Sequence, residues 1–115
     1  MTHFLTSDAI FRELASIQKE APEYGKGVKT FAHYLPQENF IVIEYIYVPV
    51  PLRRQGIASE ILDEYITLSD ACLVPLKLLP VPELGTPYGA LEKLYSMAGF
   101  KHLKEASSHF IYEPH

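Results

Sequence analysis

No uncharged apolar stretch in these 115 residues approaches the ~20 needed to cross a bilayer, so no membrane association is expected. The chain does not open on a basic segment followed by a long apolar one. No secretion leader is expected either, and the plain reading is a cytoplasmic protein. Cysteine is nearly missing: Cys72 stands alone, which excludes an intramolecular disulfide and a cysteine-based metal cluster, and its apolar setting reads as core. Positive charge is scarce, with 10 Lys and Arg against 14 Asp and Glu. The net charge of −4 speaks against broad nucleic-acid binding and suits a cationic acceptor. The five histidines (His3, His33, His102, His109 and His115) are scattered, without metal-ligand spacing. They read as surface residues, and no metal is expected. Also lacking are a Gly-x-x-x-x-Gly-Lys loop, a three-glycine dinucleotide turn, a nucleophile elbow and a cysteine–histidine signature. The usual nucleotide folds and a covalent acyl-enzyme are therefore not expected.

What is present suits one domain over residues 1–115 with a single core, at 48% hydrophobic and 21% charged. Thr6-Ser7-Asp8 offers an N-cap, and Ile10, Leu14 and Ile17 recur at helical spacing to about Lys19. Ala21–Lys26 reads as a loop. Val28–Leu35 and Phe40–Val48 read as strands joined by the hairpin connection Pro36-Gln37-Glu38-Asn39, hence antiparallel. Phe40–Val48 is almost wholly apolar or aromatic, as expected of a strand covered on both faces. Ala58–Ser69 is a helix with Ile57, Ile61, Tyr65 and Leu68 in one stripe, and Leu73–Leu79 a further buried strand. Strand, helix and strand in that order predict a parallel crossover. A proline-rich loop, Val81–Pro87, leads to a second such helix, Tyr88–Ala98, with Gly99 placed to end it. Lys101–Leu103 and His109–Tyr112 are expected to close the sheet as an antiparallel hairpin. The class is α/β in layers, with a mixed sheet.

Between the second strand and the following helix stands Arg53-Arg54-Gln55-Gly56-Ile57-Ala58. A basic, glycine-bearing turn at a helix start suits a phosphate: the unbonded N–H groups and the helix dipole face the anion, and Gly56 lets it approach the backbone. Arg53, Gly56 and Ala58 fit Arg/Gln-x-x-Gly-x-Gly/Ala, and Leu94-Tyr95-Ser96-Met97-Ala98-Gly99-Phe100 fits Leu-Tyr-x-x-x-Gly-Phe. Together these blocks resemble the GNAT superfamily of acetyl-CoA-dependent N-acyltransferases, over roughly Glu44 to Phe100.

The resemblance implies a mostly antiparallel sheet whose central parallel strands splay apart to admit acetyl-CoA. It places the pantetheine arm along Ile46, Tyr47 and Val48. It places the pyrophosphate on the backbone of Arg54, Gln55, Gly56, Ile57, Ala58 and Ser59, with charge from Arg53 and Arg54. The reaction would be direct attack of a primary amine on the thioester. An alkyl amine with a pKa near ~10.4 is neutral only about once in ~2,500 molecules at pH 7, a barrier of roughly 4–5 kcal/mol, so a base is valuable. The resemblance points to Glu44 as that base, through water, and to Tyr95 as the acid for the leaving thiolate. A backbone N–H near Ile46 or Tyr47 would hold the oxyanion.

Tyr88 stands where many members carry an asparagine that contacts the cofactor; its hydroxyl is the candidate replacement. The chain is short for this family and its front part gives little to shape an acceptor pocket, so a second subunit, in a homodimer, is expected to help complete the site. Small amines, amino-acid derivatives, peptide N-termini and protein lysines all fit as acceptors. The alternative from another class is a noncatalytic GNAT-like module that binds coenzyme A or a protein partner as a regulator.

Overall fold

The computed structural model describes residues 6–53, 55–78, 88–102 and 110–114. The first helix, α1 (Ser7–Glu20), starts where the sequence offers a cap: the Ala9 N–H donates to Thr6 Oγ1 at 3.1 Å. Such a cap contributes about 1 kcal/mol. Ile10, Leu14 and Ile17 point inward, each contributing about 1.5–3 kcal/mol by burial. A 3₁₀ turn, Ala21–Tyr24, ends the helix and occupies the expected loop.

β1 (Lys29–Leu35) and β2 (Phe40–Tyr47) form an antiparallel hairpin. Asn39 takes the left-handed conformation in its connection (φ 55°), which asparagine tolerates. After β2, a 3₁₀ turn (Val50–Leu52) leads to α2 (Ile57–Cys72). That helix runs three residues past its predicted end, to a left-handed Leu73 (φ 57°), so β3 starts late and spans Leu76–Leu78. Ser69 Oγ donates to the Val74 carbonyl and fastens this turn. α3 (Tyr88–Met97) ends at Gly99 (φ 102°), where the Phe100 N–H bonds back to the Tyr95 carbonyl at 3.0 Å. β4 (Lys101–His102) and β5 (Phe110–Tyr112) make the closing antiparallel pair.

The five strands lie in the order β1-β2-β3-β5-β4, with β2 and β3 parallel and every other pair antiparallel. This is the mixed sheet with a central parallel pair that the sequence predicts. One face carries Ala32, Ile41, Ile43, Leu76, Leu78, Phe110 and Tyr112, all buried in one core with the apolar stripes of α1 and α2 and with Tyr95 of α3. The opposite face carries Phe31, His33, Val42 and Lys77, exposed or half-buried. β2 is therefore covered on one face, not on both as its apolar composition predicts. Among the described residues, no helix is long and apolar enough to cross a membrane.

A candidate acyl-transfer site at the β2–β3 fork

The pairing of β2 with β3 runs Ile41↔Leu76, Val42↔Lys77 and Ile43↔Leu78, and among the described residues it ends there. β2 continues four residues further, to Tyr47, still paired with β1 on its other edge. Along Glu44–Tyr47 the edge toward β3 thus has no strand partner among the described residues. This is the position at which the splay is expected, and it includes Ile46 and Tyr47.

The pairing of β1 with β2 is interrupted where this stretch begins. Phe31 faces Tyr45 and Ala32 faces Ile43, so Glu44 is an extra residue, a β-bulge. Its effect is to reverse the facing of everything after it. Without the bulge, alternation would put Tyr45 inside and Ile46 outside; with it, Ile46 packs on the core and Tyr45 joins Phe31 on the outer face. Thr30 holds the bulge from beneath: its hydroxyl donates to the Tyr45 carbonyl at 2.7 Å. That commits the Thr30 proton, so the Tyr65 phenol of α2, 2.7 Å away, donates to Thr30. Thr30 and Tyr65 are both fully buried, and burial pushes the Tyr65 phenol up to about 12.

Glu44 lies on the outer face, with Oε2 3.3 Å from His33 Nδ1. It is 46% exposed, so no low-dielectric pocket encloses it. His33 is a surface histidine, as expected, but its pairing with Glu44 is not; the one sequence signal for it is that His33 shares the side of a hairpin strand with Phe31 and faces the strand that carries Glu44. Tyr95 lies on the other, helix-bearing side. Its ring packs at 5.7 Å from Phe110 and 6.0 Å from Phe100 and is 5% exposed. Burial pushes its phenol up to about 12, so it holds its proton at neutral pH, as a general acid must. Tyr88 opens α3, and its side chain lies outside the described residues.

At the start of α2, Gly56 is left-handed (φ 80°), and a Cβ there would meet no atom within 4 Å. Among the described residues no side chain caps this helix, in contrast to α1. The Glu60 N–H bonds to the Gly56 carbonyl at 3.0 Å, so the N–H groups of Ile57, Ala58 and Ser59 come before the first intrahelical bond. Gln55, Gly56 and Ser59 are exposed, Ala58 is half-buried, and Ile57 anchors the helix in the core. Arg53 turns back: its Nε donates to the Val48 carbonyl at 2.9 Å, tying the loop to the end of β2. Arg54 lies outside the described residues. From below, Gly25 lies against Leu52 so closely that a Cβ there would come within 2.5 Å of Leu52 Cδ1. The loop is thus seated on the turn before β1. Among the described residues, no group of three or more His, Cys, Asp and Glu side chains is placed to hold a metal ion.

Compared with solved structures, the chain is similar to the crystal structure of an acetyltransferase of the GNAT family from Staphylococcus aureus Mu50. The match covers 93% of this chain and 92% of that one, with a TM-score of 0.59 and 13% sequence identity. No protein-family model and no curated protein matches the sequence. The likeness is therefore one of fold: the chain has the α+β architecture of a GNAT-family acetyltransferase, with a mixed sheet, one parallel strand pair and flanking helices.

Proposed function

We propose that the chain, as one domain over residues 1–115, is a cytoplasmic N-acetyltransferase that transfers acetyl from acetyl-CoA to a primary amine by direct attack. The observation that carries the reading is the continuity of the fork with the loop. The edge of β2 runs from Glu44 past the point where its described pairing to β3 stops. Past a 3₁₀ turn, the chain reaches a helix start that no side chain caps among the described residues.

In this reading the pantetheine arm lies along Ile46, Tyr47 and Val48 like an added strand. The backbone from Arg54 to Ser59 receives the pyrophosphate, with Gly56 giving the room. Arg53 shapes the loop through Val48 and adds its charge. Tyr88, at the head of α3, contacts the cofactor. Removal of the amine proton on the outer face depends on the Glu44 carboxylate, a backbone N–H of Ile46 or Tyr47 holds the oxyanion, and Tyr95 protonates the departing thiolate from the helix side. A second subunit, in a homodimer, completes the acceptor side.

Calorimetry with acetyl-CoA tests the reading directly. The parent should bind saturably, and Gly56→Glu, which places a carboxylate where the phosphates would sit, should bind at least ~100-fold more weakly while keeping its circular dichroism. A parent that does not bind acetyl-CoA removes the proposal.

A further inference from the structure

On the transferase reading, the described residues leave the acceptor one side from which to approach the fork. The helix-side face of β2 is closed: Ile41 and Ile43 have no exposed surface, and Ile46 packs against the core. The amine must therefore arrive over the outer face, past Phe31, His33, Glu44 and Tyr45. Phe31 is 37% exposed and the His33 side chain 37%, their rings lie 5.9 Å apart, and the Tyr45 ring lies 6.4 Å from that of Phe31. These groups form a shallow aromatic wall beside one carboxylate, which is the chemistry that receives an organic ammonium.

The orientation of the pair divides the work between its members. Glu44 faces Nδ1 of His33. A carboxylate at Nδ1 favours the tautomer with its proton there, which leaves the lone pair on Nε2, the nitrogen turned away from Glu44. Imidazole is also the side chain whose ordinary charge change falls near neutral pH, where a general base works best. We propose that His33 Nε2, held in this tautomer by Glu44, takes the proton from an acceptor that is a primary alkyl ammonium resting against Phe31 and Tyr45. This deepens the transferase reading and rests on it. Glu44 acts through its neighbour, as a positioning residue, and does not meet the amine itself.

The proton count closes. The ammonium gives one proton to His33 Nε2, the neutral amine forms the N–C bond, and the C–S bond breaks with its electron pair leaving on sulfur. The nitrogen of the adduct loses its second proton. The thiolate takes one proton and solvent receives the other by way of His33, leaving amide and thiol. The other charged groups of this face among the described residues stand apart from the pair. Lys77 of β3 is held over Phe40 at 5.6 Å, Lys29, at the far end of β1, lies over Tyr47 at 5.7 Å, and Lys101 sits on the edge strand β4.

The test measures thiol release between pH 6 and 9 with two probes, Nα-acetyl-lysine amide and aniline, the second already neutral. The parent, His33→Gln and Glu44→Gln are compared, and acetyl-CoA binding to each is followed by calorimetry. His33→Gln should bind acetyl-CoA within about twofold of the parent and lose about 100-fold in transfer to the lysine amide at pH 7. That deficit should narrow as pH rises toward the pKa of the amine, and transfer to aniline should hardly change. Glu44→Gln should show the same pattern with a smaller deficit. A parental pH profile in His33→Gln would overturn the proposal, as would an equal loss with aniline or a cofactor-binding parent inert toward the lysine amide. A parent that binds no acetyl-CoA would bring down the transferase reading itself, which separates the two failures.

Discussion

Replacing Thr30 by valine changes almost no volume and removes both hydrogen bonds that hold the β2 bulge from below. The Tyr45 carbonyl loses its donor, and the Tyr65 hydroxyl, in a residue with no exposed surface, loses its acceptor. Each bond contributes about 1 kcal/mol, and a buried hydroxyl left without a partner costs about 1–3 kcal/mol. The Tyr45 carbonyl is only part-buried, so water partly compensates it, and the expected loss is about 2–4 kcal/mol. For a chain of this length that lowers the melting temperature by roughly 8–16 °C. Tyr65→Phe removes the orphaned hydroxyl, so the double variant should be less unstable than the two singles added together, by at least ~1 kcal/mol. Urea unfolding of the parent, both singles and the double variant measures this cycle. A Thr30→Val loss below about 0.5 kcal/mol, or strict additivity with Tyr65→Phe, would refute the assignment of these bonds as the support of the bulge.

Tyr95→Phe should preserve the fold, since its ring packs on Phe100 and Phe110. It should lower acetyl transfer by roughly 10–100-fold if the phenol is the acid, and an unchanged turnover would remove that role. Stability should also fall in alkali. Burial raises the phenols of Tyr65 and Tyr95 to about 12, above the usual value near 10. The unfolded chain therefore releases these protons first as pH rises past 10. The stability is fully present below pH 10 and declines through about 12, by roughly 2–3 kcal/mol per tyrosine at order of magnitude. Unfolding followed between pH 9 and 12, with tyrosinate absorbance in parallel, should show ionisation of these two tyrosines coinciding with loss of structure.

The strong periodic segments were legible: the stripe of Ile57, Ile61, Tyr65 and Leu68 fixed a helix, and its flanking strands had to be parallel. The signature around Tyr95 and the Gly56 loop was legible as a pattern, and the fold agrees with the resemblance. The facing of Glu44-Tyr45-Ile46-Tyr47 was not. Either register of that alternating stretch puts an apolar or aromatic side chain inward, and a bulge is one extra residue with no composition of its own. The bare outer face was hidden for a related reason. The apolar content of β2 suggests cover on both sides, whereas its half-buried tyrosines and Val42 tolerate partial exposure. β3 began late because nothing in Asp70-Ala71-Cys72 stops a helix before the left-handed Leu73.

The link from Arg53 to the Val48 carbonyl bears on entropy. It bridges a loop in which Pro49 and Pro51 already fix two backbone angles and Leu52 is wedged against Gly25. Ordering a flexible segment of this length on ligand capture would cost about 1–2 kcal/mol per residue. Here that cost is met during folding, by contacts the protein makes with itself. On the transferase reading, a diphosphate arriving at Gly56 would meet a loop whose shape these contacts already set, and more of its interaction energy would remain as affinity.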